Sequence, residues 1–147
     1  MGDINPLILV YGESGTNKTG LIDTVSNALV VSSSSSIIRL RDKQDIRIRH
    51  VDSIEPLGEA IDELGDEVAL QYDWHCFDSL SQIAESCLLE SDSVDRKTYM
   101  RAQNKLMRCL LKLSSTIRKP TYCTAWEKEL VYPDGHTRHS PSFPGVA

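Results

Sequence analysis

With 147 residues, 40% of them hydrophobic, the chain can build one domain around a real core and calls for neither a disordered nor a multidomain reading. The formal net charge of −5 argues, taken alone, against a nucleic-acid partner. No apolar run approaches the roughly 20 residues of a membrane span, and the N-terminus lacks the basic start and cleavage site of a signal peptide, so no membrane partner and a cytoplasmic location are expected.

Residues 6–11 (PLILVY) form a continuous apolar run that stops at Gly12, the pattern of a parallel strand buried on both faces. There follow Gly12, Glu13, Ser14, Gly15, Thr16, Asn17, Lys18 and Thr19, which resemble the Walker A loop G-x-x-x-x-G-K-[ST]. Such a loop turns successive N–H groups toward a phosphate, with Lys18 reaching the β and γ phosphates and Thr19 ligating Mg²⁺. Asn17 stands where a glycine is expected. Its side chain is expected to crowd the phosphate approach and weaken binding, although asparagine tolerates left-handed backbone better than most residues.

A helix is expected over 18–26, a buried strand over 28–31 and a serine loop over 32–36. Ile46, Ile48 and His50 alternate with Arg47 and Arg49 as a strand, and Leu57, Ala60, Ile61 and Leu64 mark an acidic amphipathic helix over 55–64. The aromatic-rich segment 72–77 reads as a strand closed by Asp78. That carboxylate either holds Mg²⁺ in the Walker B manner or, with Ser79, caps the following helix, whose face runs through Leu80, Ile83, Ala84, Cys87 and Leu88.

A long helix is expected over 95–117, ended by Pro120. Residues 95–119 hold eight Lys or Arg and one acid, a net +7, against eight bases and twenty acids, a net −12, in the rest of the chain. At 100° per residue Lys97, Arg101, Lys105, Arg108 and Lys112 fall in a sector roughly 80° wide, opposite Ala102, Leu106, Leu110, Leu113 and Ile117. The stripe is either a solvated face, a DNA-binding track or a docking face for an acidic neighbour. Residues 121–125 read as a last core strand, and 129–131 with 137–139 as a hairpin around Pro133, Asp134 and Gly135. Alternating strands and helices imply a parallel α/β sheet. The four cysteines are far apart and read as buried free thiols, and His75, inside an apolar strand, as a core histidine.

The Walker A loop, Phe77-Asp78-Ser79-Leu80, the basic helix, Thr124-Ala125-Trp126-Glu127-Lys128 and Phe143-Pro144-Gly145 resemble, in that order, phage RecA-like ATPases of the Sak recombinase type. The resemblance implies an α/β fold with a three-layer RecA-like P-loop NTPase core and a mostly parallel sheet. It implies ATP and Mg²⁺ as cofactors and a role in DNA recombination or single-strand annealing in the host cytoplasm, in an oligomer that touches single-stranded DNA. It also implies that the 121–125 strand lies between the P-loop and Asp78 strands, with Thr124 as a sensor near the γ phosphate. Relatives carry an acid after the second strand and continue past the Pro-Gly loop. This chain has serines at the first place and stops at Ala147, which leads us to expect a truncated or shortened domain. Glu127 and Glu13 are the candidates for a substitute catalytic base, and each reads otherwise as a solvated or ion-paired acid. A hydrolytically weak nucleotide-binding module that regulates a protein or DNA partner is the alternative. A small-molecule kinase is a third reading, against which stands the lack of an arginine-rich lid or acceptor pocket in the sequence.

Overall fold

The computed structural model describes residues 5–33, 37, 40, 42–92 and 95–143. Its elements in chain order are β1 (Leu7–Gly12), α1 (Lys18–Ile22), β2 (Ala28–Ser32), β3 (Ile46–His50), α2 (Ile54–Asp62), a 3₁₀ turn (Glu63–Gly65), α3 (Glu67–Leu70), β4 (Trp74–Phe77), α4 (Leu80–Asp92), α5 (Arg96–Thr116), β5 (Thr121–Val131) and β6 (Thr137–Ser142). Five strands are parallel in the order β1-β5-β4-β2-β3, and β6 pairs antiparallel with β5. The strand that carries Thr124 thus lies between the strand ending at Gly12 and the strand ending before Asp78, the neighbourhood the resemblance implied.

Period-2 alternation divides the core between the two faces of the sheet. Val31, Phe77 and Cys123 point to a larger cluster with Leu57 and Ile61 of α2, Ile83 of α4, and Leu106 and Leu113 of α5. Their neighbours Val30 and Cys76 point the other way, against Ile22 of α1, Ile37 and Leu40. The result is a mostly parallel sheet between two layers of helix and turn.

The expectation that residues 6–11 are buried on both faces is not met. β1 is the edge of the sheet, and Leu7, Ile8, Leu9 and Tyr11 are each 39–50% exposed. An apolar run specifies a strand with two apolar faces, but its burial depends on neighbours that local pattern cannot reveal. Among the described residues only β5 pairs with β1.

Two elements also differ from expectation. α1 ends at Ile22 rather than Ser26, because the chain then turns tightly: Thr24 Oγ1 bonds Leu21 O at 2.6 Å, and Asn27 takes φ 53° to enter β2. β5 is one continuous strand from Thr121 to Val131, joining two stretches that the sequence reading separates. Its hairpin with β6 turns at Gly135, φ 84°, where Asp134 Oδ1 accepts from His136 N at 3.0 Å. α5 matches its expected span closely. Asp95 caps it, accepting from Thr98 N at 2.9 Å, a bond that holds the Asp95 carboxyl below its usual range. Phe143 lies at the end of the described chain, and Pro144 and Gly145 fall outside the described residues.

Candidate phosphate-binding site

The loop between β1 and α1 carries two residues in the left-handed region, Gly15 at φ 84° and Asn17 at φ 61°. Glycine takes that conformation without steric cost, and asparagine is among the few other residues that do so with little. The loop closes on itself through Thr16 Oγ1, which donates to Glu13 O at 2.8 Å. Lys18 folds back over it: its ammonium donates to Gly12 O at 2.9 Å, Glu13 O at 2.6 Å and Thr16 Oγ1 at 3.2 Å. A cation is thereby held at the mouth of the loop by oxygens that a bound anion can replace.

Asp78 lies at the centre of the site and is 3% exposed. Its Oδ2 accepts from Thr19 Oγ1 at 2.8 Å, and its Oδ1 from Thr124 Oγ1 at 2.6 Å. Three elements distant in sequence therefore meet at one carboxylate: the start of α1, the end of β4 and the middle of β5. The competing role of helix cap belongs instead to Ser79, whose Oγ accepts from Gln82 N at 3.2 Å. Tyr122, two residues before Thr124 and on the same face of the sheet, reaches the α1 end of the loop, its hydroxyl donating to Lys18 O at 3.4 Å. Burial, and then the Asp78 charge, push the Tyr122 phenol up to about 12, so it remains a donor at neutral pH.

Of the proposed catalytic residues, Lys18, Asp78 and Thr124 belong to the loop and the hydroxyl–carboxylate cluster it adjoins, and Glu127 does not. Its carboxylate pairs with His139 Nδ1 across the hairpin. Glu127 lies opposite Pro141, so His139 is its diagonal neighbour on the same face. Glu13 contributes its carbonyl to Lys18 while its side chain is exposed.

The two metal candidates, Thr19 and Asp78, offer a hydroxyl and a carboxylate, hard oxygen donors suited to Mg²⁺. Among the described residues no group of three or more His, Cys, Asp or Glu can hold a metal. A Mg²⁺ ion here would need phosphate oxygens and water to complete its shell, the usual situation for that ion.

The five cations of α5 are exposed, and Leu106 and Leu113 opposite them are buried. Lys112 is engaged within the chain, pairing with Asp62 of α2. Lys97, Arg101, Lys105 and Arg108 form no ion pair among the described residues.

The Asn17–Gly20 contact escaped sequence reasoning. The Asn17 amide lies directly over Gly20, where an added Cβ would stand 2.3–2.5 Å from its Cγ, Oδ1 and Nδ2. The i,i+3 spacing was the available signal. His75 is fully buried, as expected, with Nε2 2.9 Å from Ala69 O. The cysteines are free thiols: Cys76, Cys87 and Cys123 are buried and Cys109 is half-buried. No helix among the described residues is long and apolar enough to cross a membrane. No protein-family model matches the chain, and no curated protein does either.

Proposed function

We propose that the chain is a P-loop nucleotide-binding protein that holds the phosphates of ATP with Mg²⁺, a RecA-like ATPase of the Sak type acting in DNA recombination or single-strand annealing. The observation that carries the reading is the convergence of Thr19 and Thr124 on the two oxygens of Asp78, next to a lysine folded over the loop. When bound, Mg²⁺ neutralises charge on the β and γ phosphates and polarises the γ phosphoryl group. The chain's own residues supply the rest. Lys18 exchanges loop carbonyls for phosphate oxygens, forming charge-assisted bonds. Thr19 and Asp78 stand ready as oxygen donors, and Thr124, fixed to Asp78, positions its hydroxyl beside them.

A second reading, a nucleotide-binding module with weak hydrolysis, is favoured by two observations. Glu127 is tied to His139, and β2 ends in Ser32, followed by Ser33, where a water-activating acid is wanted. Residues 34–36, also serines, lie outside the described residues.

Calorimetric titration with ATP and GTP, each with and without Mg²⁺, tests the proposal. Binding should require Mg²⁺ for full affinity, and Lys18→Ala should lose most of it while melting like the parent. Equal ATP affinity in Lys18→Ala and parent sinks the nucleotide reading. A turnover assay on the same protein separates ATPase from binding module.

A further inference from the structure

We propose that Gly20 is a positioning residue for the phosphate loop: the missing side chain at this position is the seat that holds the Asn17 amide out of phosphate space. The proposal rests on the nucleotide reading above and explains how an asparagine serves at the loop's last position before Lys18.

The geometry is local and specific. Asn17 sits at φ 61°, ψ 32°, immediately before α1, and Gly20 N donates to Asn17 O at 3.0 Å, which fixes the two residues one turn apart on one face. An asparagine before a helix ordinarily has extended backbone, and its side chain accepts an N–H of the first turn. Asn17 has left-handed backbone and makes no such cap bond. Its amide is laid along the helix instead, over the bare Cα of Gly20. All three terminal atoms of the amide would be within 2.5 Å of a Cβ there, far inside van der Waals contact. Any residue at position 20 except glycine therefore displaces the amide, and from the end of the loop the displaced amide competes with phosphate oxygens for the loop's N–H groups. Glycine inside a helix is otherwise unfavourable relative to alanine, so its presence in a five-residue helix calls for such a reason.

A four-protein cycle tests this: the parent, Gly20→Ala, Asn17→Gly and the double variant, each titrated with ATP·Mg²⁺ and melted without nucleotide. Gly20→Ala should weaken ATP·Mg²⁺ binding roughly tenfold in the parent, and by less than about twofold once Asn17→Gly is in place, a coupling normal for residues in contact. In nucleotide-free melts, Gly20→Ala should raise Tm when combined with Asn17→Gly, since alanine favours helix. In the parent that gain should be cancelled. Equal effects of Gly20→Ala in both backgrounds, on affinity and on Tm, overturn the proposal. Coupled melts together with no ATP·Mg²⁺ binding by the parent would leave the contact standing but refute the nucleotide reading, and with it the positioning role.

Discussion

Replacing Thr124 by valine keeps the shape of the side chain and removes only its hydroxyl. That hydroxyl is fully buried and donates at 2.6 Å to Asp78 Oδ1, so the variant leaves a buried carboxylate with one of its two threonine donors. A hydrogen bond to a charged group contributes about 1.5–3 kcal/mol. The new methyl returns at most about 0.8 kcal/mol of apolar burial, and less beside a carboxylate. A net loss of about 1–2 kcal/mol follows. For a chain of this length the unfolding entropy, about 2.1 cal/mol/K per residue, sums to about 0.3 kcal/mol/K, so Tm should fall by about 3–6 °C. Thermal melts followed by circular dichroism measure it, with Thr19→Val as a graded control. Thr19 bonds Oδ2 at a part-buried position where water can take over, so its melt should shift less. If Thr124→Val melts within 1 °C of the parent, the hydroxyl is not bound to Asp78, and the three-element convergence is wrong.

Two other outcomes follow from charge. His75 is held neutral by burial, and Lys119 further disfavours its charged form; protonation would create a buried Nδ1–H with no acceptor among the described residues. Its folded pKa is below the unfolded value near 6.5, so below that pH the unfolded state binds the extra proton and stability drops, by up to about 1.4 kcal/mol per pH unit, until the folded group titrates as well. Melts of His75→Gln between pH 7.5 and 5 should be flatter than the parent's, and parallel curves would refute the assignment. For α5, Lys112 is engaged by Asp62, so four cations remain, and single-stranded DNA binding should fall with salt at a log–log slope of about −2.8, or −0.7 per contact. Changing Arg101, Lys105 and Arg108 together to Glu should abolish that binding with helicity unchanged. Unchanged affinity eliminates the DNA role, and dissociated oligomers in sedimentation would assign the stripe to subunit contact.

Legibility from sequence tracked how local the physics was. Gly12–Thr19 could be picked out as the connection between a strand and a helix because its motif is contiguous in sequence, and Asn17 was expected to tolerate the left-handed conformation it adopts at φ 61°. The amphipathicity of α5 was plain because a 21-residue helix repeats its pattern many times. The partners of those residues were another matter. That Lys112 meets Asp62 depends on α2 packing beside α5, and that Glu127 meets His139 depends on a hairpin register set by the turn at Gly135. The exposure of β1 was missed for a related reason: an apolar run is the same string of residues at the centre of a sheet and at its edge. Asp78 was singled out as the closing residue of a strand, but its two threonine partners lie 59 and 46 residues away, and only resemblance placed Thr124 nearby.

β5 has a consequence for amide exchange. Its first five residues run through the sheet between β1 and β4 and are almost wholly buried, while its last three, Glu129, Leu130 and Val131, are exposed and, among the described residues, pair only with β6. Deuterium should enter one unbroken strand at two very different rates. Amides from Thr121 to Ala125 should wait for global unfolding, and those beyond Lys128 should exchange through opening of the hairpin alone. Thr124 lies in the slow half and Glu127 at the transition. The hydroxyl bound to Asp78 thus belongs to the half of β5 expected to exchange slowly, while the carboxylate bound to His139 borders the half expected to open first.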